Sequence, residues 1–405
     1  MSTMAPEIQE WALAAGLEGL PQAELVTGYC ERLVAAGLPV WRASVGADTL
    51  HPLNDAQGHR WIAGRGLHVE FFPRLTLREQ NDEWRYSTWK WMLDSGAVEN
   101  RWSLSRGEGA DRFPLLASLA ASGGTDYWTM IVRYGEKACL GETRGLATSW
   151  ATREPGGFRE SDLALIRATL PAFTLAFKAT MTIDTARTVV STYLGRNVAE
   201  RILRGDIERG KVMAVRKVLW FSDLVGFTRL ADTLPHEQLI DLLNAYADCL
   251  VGVVHDHGGQ VLKFLGDGIL AAIPGEGRVA CGRALDAAAA ARAAVADLNR
   301  ARTAAGLPTT GFTLALHEGE VLYGNVGSRD RLDFTVVGPS VNEASRIQAL
   351  CRSLDQPILV SESFARACGP GRARLVSVGR YALRGVERPQ ELFTPDLGDD
   401  GQSPG

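Results

Sequence analysis

Two folded units of mixed α and β content are what this sequence predicts, and three observations carry that reading. A chain of 405 residues exceeds one ordinary domain and suits two. Strand-like and helix-like apolar patterns alternate in both halves, punctuated by glycine turns such as Ser122-Gly123-Gly124-Thr125 and Pro155-Gly156-Gly157. Between the halves, Val189, Val190, Tyr193, Leu194, Val198, Ile202 and Leu203 keep a three-to-four-residue period, interrupted at Gly195 and ended near Gly205, which is the pattern of connecting helices.

The first unit is read as residues 21–181, behind a polar segment 1–20. Its last segment, Phe158 to Phe177, opens with Ser161 as cap candidate and carries Leu163, Leu165, Ile166 and Leu170 at helical spacing, up to a kink expected at Pro171. A helical connector, 182–214, follows. The strand Val218-Leu219-Trp220-Phe221 opens the second unit, 215–397, and a polar tail, 398–405, is expected to be disordered.

Composition narrows the class of function. With 46% hydrophobic and 22% charged residues the chain can bury a core, and a net charge of −4 supplies no basic field for a nucleic-acid backbone. The six cysteines are scattered without a CxxC pair, as reduced thiols are. The N-terminus lacks the basic and apolar regions of a secretory signal, and no run of about 18 uncharged apolar residues is found. A cytoplasmic protein without membrane insertion is expected.

The chemistry concentrates in three segments of the second unit. In Phe221-Ser222-Asp223-Leu224-Val225-Gly226-Phe227-Thr228, a strand ends in Asp223 and passes through Gly226 toward a helix expected around Leu234–Pro235, leaving the N–H groups of Phe227 and Thr228 for phosphate oxygens. In Lys263-Phe264-Leu265-Gly266-Asp267-Gly268, a hairpin signature holds Asp267 at its tip. Either aspartate alone reads as a helix cap or an ordinary turn. Together, on adjacent strands, they form a pair able to clamp two divalent cations, and Mg²⁺ suits so sparse an oxygen site because it keeps waters and takes substrate phosphates as ligands. In the third segment Pro339 starts a helix, and Asn342 and Arg346, four residues apart, project from one face of it. Alone, that spacing is as well explained by a solvated helix face.

Taken in order, Asp223 in FSDLVGFT, Lys263 and Asp267 in KFLGDG, Thr335 in DFTVVG, and Asn342 with Arg346 in VNEASR resemble the signature of the class III adenylate/guanylate cyclase family over about residues 215–397. The resemblance implies an α/β palm with a ferredoxin-like core. It implies two Mg²⁺ or Mn²⁺ ions per site on Asp223, Asp267 and the Leu224 backbone carbonyl, Asn342 on the ribose, and Arg346 on the α-phosphate. Lys263 and Thr335 match the base-reading positions of adenylate cyclases, so ATP is the implied substrate; Asp333, two residues earlier on the same strand face, is the alternative reader should the register slip, and the Gly338 anchor favours Thr335. Guanylate cyclases place Glu and Cys at the two positions. Arg329 falls at a triphosphate-binding arginine, and Arg384 where the family usually has lysine, a change from point charge to planar fork. Because one chain holds one such domain, the resemblance implies a homodimer with two shared sites. Each would take Asp223, Asp267, Phe227, Thr228 and Arg329 from one chain and Lys263, Thr335, Asn342, Arg346 and Arg384 from the other. A guanylate cyclase and a catalytically silent nucleotide-binding regulator are the competing readings.

The first unit holds Trp84, Trp89, Trp91, Trp102, Trp128 and Trp150, read as packed core in preference to the lining of a ligand pocket. Its order of elements, ending in Gly157-Phe158-Arg159-Glu160-Ser161-Asp162-Leu163, is similar to GAF domains, which implies a sensor of a small molecule or a protein partner. His255-Asp256-His257 has no third ligand at metal spacing and reads as a polar helix end, and the alanines of 287–296 as a packed helix face.

Overall fold

The structure, a computed structural model, describes residues 4–74, 82–141, 144–386 and 388–396. The tail 398–405 and the first three residues lie outside that range. The chain divides into two compact units at Thr192/Tyr193, each with its own sheet.

The first unit begins with two helices, α1 (Met4–Glu18) and α2 (Gln22–Ala35), and the strands β1 (Arg42–Asp48), β2 (Asn54–Ile62) and β3 (Gly66–Pro73). Next come α3 (Asp82–Arg85), α4 (Thr88–Ser95), β4 (Glu99–Ser103), α5 (Pro114–Ala121), β5 (Asp126–Arg133), β6 (Gly145–Thr152) and the long α6 (Glu160–Leu194). Its described strands form an antiparallel sheet in the order β3-β2-β1-β6-β5-β4. On one face α1, α2 and α6 pack Ile8, Ala12, Tyr29, Phe173 and Phe177 against Ala43, Val45, Trp61, Trp128 and Trp150; on the other, Trp102, Phe113, Leu116 and Tyr127 form a smaller cluster. The tryptophans Trp128 and Trp150 are fully buried, as a packed core requires.

Several boundaries differ from the sequence reading. The segment 1–20 is not merely polar: α1 sends Ile8, Ala12 and Ala15 into the core because they recur at helical spacing on one face of the helix. Ser161 lies inside the first turn of α6, and Asp162 instead reaches back to accept from the Arg159 N–H at 2.9 Å. The helix runs on through Pro171 to Leu194. By length and composition α6 could cross a membrane, which an uncharged-run criterion passes over because Arg167 and Lys178 interrupt the apolar stretch; half of that stretch is buried in the protein. The expected connector 182–214 is divided between the units: Asp184 accepts from Gln22 in the first, while α7 (Arg196–Leu203) buries Val198 and Ala199 in the second.

The second unit continues with β7 (Val212–Leu224), α8 (Phe227–Thr233), α9 (His236–Asp256), β8 (Gln260–Leu265), β9 (Gly268–Ile273) and α10 (Gly277–Ala304). It closes with β10 (Phe312–Gly327), β11 (Leu332–Val337), α11 (Pro339–Ser353), β12 (Ile358–Val360), α12 (Glu362–Ala367), β13 (Leu375–Tyr381) and β14 (Gln390–Pro395). Its sheet runs β13-β14-β12-β10-β7-β9-β8, with β11 paired to β10. The centre is the antiparallel pair β7/β10, in register from Val212↔Gly324 to Leu224↔Phe312. One face buries Val218, Trp220 and Leu224 under α9 and α10, where Ala284, Ala287, Ala288 and Ala291 permit close approach; the other buries Leu219 and Phe221 with Ala344 and Ile347 of α11. His255-Asp256-His257 is a helix end, with His257 capping α9. This α/β sandwich of sheet and helices sets the ends of β7 and β8/β9 beside one another.

Candidate active site

Asp223 lies one residue from the end of β7, and its strand neighbour β9 starts at Gly268. The β8/β9 hairpin closes Leu265 against Gly268 through Gly266 and Asp267, and Gly266 takes φ 69°, a left-handed conformation that glycine adopts without strain. The turn thereby swings Asp267 back over the end of β7, where its Oδ2 accepts from the Leu224 N–H at 3.2 Å. Glycine at 268 avoids a tight fit, since a Cβ there would lie 3.2 Å from the Ser222 carbonyl oxygen and 3.3 Å from that of Leu265. The two carboxyls stand together in a half-buried position; burial, then the Asp267 carboxyl beside it, pushes the Asp223 carboxyl up to about 6. Two acids held this closely repel when both are ionised, and a divalent cation would remove the conflict.

The donors fit such an ion in kind. Asp223, Asp267 and the Leu224 carbonyl are hard oxygens, suited to Mg²⁺ or Mn²⁺. Among the described residues no group of three or more His, Cys, Asp or Glu side chains could hold a metal, so an ion here needs further ligands from water or substrate.

The helix after Gly226 is α8, starting at Phe227, earlier than the Leu234–Pro235 start expected from sequence; Pro235 precedes the next helix, α9. Gly226 and the short reversal suffice to begin it, and the N–H groups of Phe227 and Thr228 lie in its first turn, where an α-helix offers them no internal acceptor. Thr228 is exposed and Phe227 half-buried.

Residues the sequence reading had not singled out brace this corner. On α11, Gln348 Nε2 donates to Thr313 Oγ1 at 2.7 Å, and that hydroxyl donates to the Asp223 carbonyl at 3.3 Å. One turn on, Arg352 Nη2 donates to the Leu224 carbonyl at 3.1 Å, and its charge pulls the Asp223 carboxyl down against the larger upward effects. A polar Gln348, 8% exposed among Ala344, Ile347 and Cys351, was the available signal, because a buried amide needs a partner.

The base-reading candidates collect on the β8 side. Lys263 pairs with Asp333 of β11, and Thr335 lies two residues further on the same face of that strand. The structure thus gives the lysine to Asp333 and leaves Thr335 beside it. Asn342 is exposed on the first turn of α11, while Arg346 is half-buried with its guanidinium 3.5 Å from where a Gly385 Cβ would sit, next to exposed Arg384. Below Asn342, Glu343 accepts from Gln390 at 3.1 Å and faces buried His317 at 3.9 Å, whose protonated form burial disfavours. Arg329 is exposed at the tip of the β10/β11 hairpin, closed by the Ser328 N–H donating to the Arg331 carbonyl at 2.9 Å.

Two clusters result, one of carboxylates at β7/β9 and one of amide, guanidinium and lysine along β8, β11 and α11. Among the described residues no hydrogen bond or ion pair joins them directly. Ten residues of α11 separate Asn342 from Arg352, which touches the first cluster; at a 1.5 Å rise that is about 15 Å of helix.

Residues 215–394 match the family model of the adenylate and guanylate cyclase catalytic domain. This segment is a class III nucleotide cyclase catalytic domain. The chain is also similar to curated relatives. A Mycobacterium tuberculosis protein, Rv1320c, is 32% identical over 215 residues, covering 52% of this chain and 36% of the relative. A second, Rv1319c, is 33% identical over 213 residues, covering 52% and 38%. The chain spans well under half the length of these relatives. Among solved structures, the guanylyl cyclase Cya2 is 27% identical, covering 47% of this chain and 96% of that one, with a TM-score of 0.41. The adenylyl cyclase CyaB of P. aeruginosa is 24% identical, covering 48% and 100%, with a TM-score of 0.42. Cyclases of both base specificities thus stand among the similar structures.

Proposed function

We propose that the protein is an adenylate cyclase that converts ATP to 3′,5′-cyclic AMP and pyrophosphate. The observation that carries it is the pairing of Asp223 with Asp267 at the ends of neighbouring strands, in a donor set suited to divalent cations. Two Mg²⁺ or Mn²⁺ ions, when bound, would lower the charge on the triphosphate and on the attacking oxygen. The chain supplies the rest. The N–H groups of Phe227 and Thr228, with Arg329 and Arg384, hold phosphate oxygens; Asn342 orients the ribose so that its 3′-oxygen lies in line with the α-phosphorus. The 3′-hydroxyl gives up its proton to solvent as its oxygen bonds to that phosphorus, the bond from the α-phosphorus to the oxygen bridging it to the β-phosphate breaks, and pyrophosphate leaves with that oxygen. Arg346 carries the negative charge that grows on the α-phosphate oxygens, as a planar donor with no side-chain partner among the described residues.

ATP is favoured by Lys263, held by Asp333 and standing with Thr335 on the strand face where the base would lie. GTP is the second reading, because a lysine neutralised by Asp333 is a weaker mark of adenine than a free one. The separation of the two clusters along α11 supports a homodimer in which each site borrows one cluster from each chain. The first unit is proposed as a GAF-like sensor that regulates the cyclase, in the cytoplasm. Purified full-length protein offered ATP or GTP separately with Mn²⁺, with products resolved by chromatography, tests the reading: cyclic AMP from ATP is expected, and no cyclic product from either nucleotide would leave a silent nucleotide binder.

A further inference from the structure

Beside the Trp102 cluster, part of the second face of the first unit's sheet is polar. Side chains of alternate residues share a face, so the register sets Arg60, Ser44, Ser149 and Thr129 in a row across β2, β1, β6 and β5, with Arg42 and Tyr127 in the next row. Most of this polar stripe is buried: Arg42 and Ser44 are 9% exposed, Ser149 2% and Thr129 0%. Helix α4 lies against its β5 end, where Trp89 Nε1 donates to Thr129 Oγ1 at 3.1 Å and the Thr88 and Tyr127 hydroxyls are 3.0 Å apart.

Part of the stripe satisfies itself, and part does not. Arg60 pairs with Glu70 at 2.8 Å. Ser44 Oγ is buried without a hydrogen-bond partner among the described residues. The Arg42 guanidinium has no hydrogen bond or ion pair among the described residues; burial pulls it below the ordinary arginine range, Arg60 adds to that, and Glu70, which pairs with Arg60, offsets only part of it. A largely buried guanidinium that no carboxylate pairs with directly is an unfavourable arrangement, and the unpartnered Ser44 hydroxyl two residues away on the same face adds to it. Both defects are met by one species: an anion that takes two N–H donors from Arg42 and one from the Ser44 hydroxyl.

We propose that this face of the first unit is a binding site for a small anionic molecule, a carboxylate or a phosphate, gripped by Arg42 and Ser44 with Arg60 at its margin. The proposal names the ligand class for the sensor reading above, but its binding test does not depend on cyclase activity. Full-length protein is titrated with succinate, with inorganic phosphate and with neutral succinamide, followed by tryptophan fluorescence and thermal unfolding. Saturable responses to one of the two anions and none to succinamide are expected. Arg42→Met should abolish the response while unfolding at the same or a higher temperature in the absence of anion, since an apolar side chain replaces an unpaired buried charge. Ser44→Ala should keep the fold and weaken binding by about 3- to 10-fold, the worth of one hydrogen bond. A response that survives in Arg42→Met puts the anion elsewhere, including the cyclase site, and overturns the proposal. So does the lack of a saturable response to either anion in the wild-type protein, or an unchanged affinity in Ser44→Ala if Arg42→Met fails to fold.

Discussion

In the proposed reading turnover rests on Asp223 and Asp267, which the β8/β9 turn holds side by side. Asp223→Ala should lower turnover by at least about 100-fold, the scale of losing a group that stabilises developing charge, with little change in thermal unfolding. Burial and Asp267 raise the Asp223 carboxyl to about 6 in the metal-free protein. Because the folded state then holds this proton more tightly than the unfolded chain does, ionisation above that value costs stability, and the cost is relieved as pH falls through 6 toward the unfolded value. Metal-free wild type should therefore gain stability relative to Asp223→Asn between pH 7 and pH 5, in denaturant melts at each pH. Mn²⁺ affinity should move the opposite way, weakening below about pH 6 as protons compete for the same oxygens. Lys263→Ala should reduce kcat/KM for ATP by about 10- to 100-fold, and more than for GTP if the lysine reads adenine.

Helix α11 is the element that couples the two clusters, presenting Asn342 and Arg346 at one end and bracing Asp223 and Leu224 through Gln348 and Arg352 at the other. Its N-terminal turn lies so close to β10 that a Cβ at Gly319 would sit 2.2 Å from Ser340 Oγ and 2.9 Å from His317 Nε2. Gly319→Ala should therefore displace the turn that carries Asn342, costing about 1–3 kcal/mol by overpacking and a larger fraction of activity than of stability, as denaturant melts and turnover measured side by side would show. How legible this was in the sequence differs along the helix. Pro339, Asn342 and Arg346 stood out as a start signal and a spaced pair. Gln348 and Arg352 did not, since their partners, Thr313 and the Leu224 carbonyl, lie on strands 35 and 128 residues away.

At the scale of the whole molecule, shared sites make a distinct prediction. Chains carrying Asp223→Ala and chains carrying Asn342→Ala should each be inactive, yet co-expressed in equal amounts they should recover roughly a quarter of wild-type activity, because half the dimers are mixed and each holds one intact site. No recovery in dimers shown to be mixed would place both clusters in one chain's site.

The sequence by itself determined the cyclase motifs, their order and the positions of Asp223, Asp267, Lys263, Asn342 and Arg346, because turn glycines, a helix-starting proline and strand alternation act locally. It also called for two units. What only the tertiary structure decided depends on contacts between distant segments: that Asp267 folds back onto Leu224, that Lys263 goes to Asp333, that residues 4–18 form part of a core, and that Arg42 is largely buried without a direct ion-pair partner among the described residues. Local signals fix which way a side chain faces, but what it meets there is set by how strands register and helices pack, and no short stretch of residues encodes that.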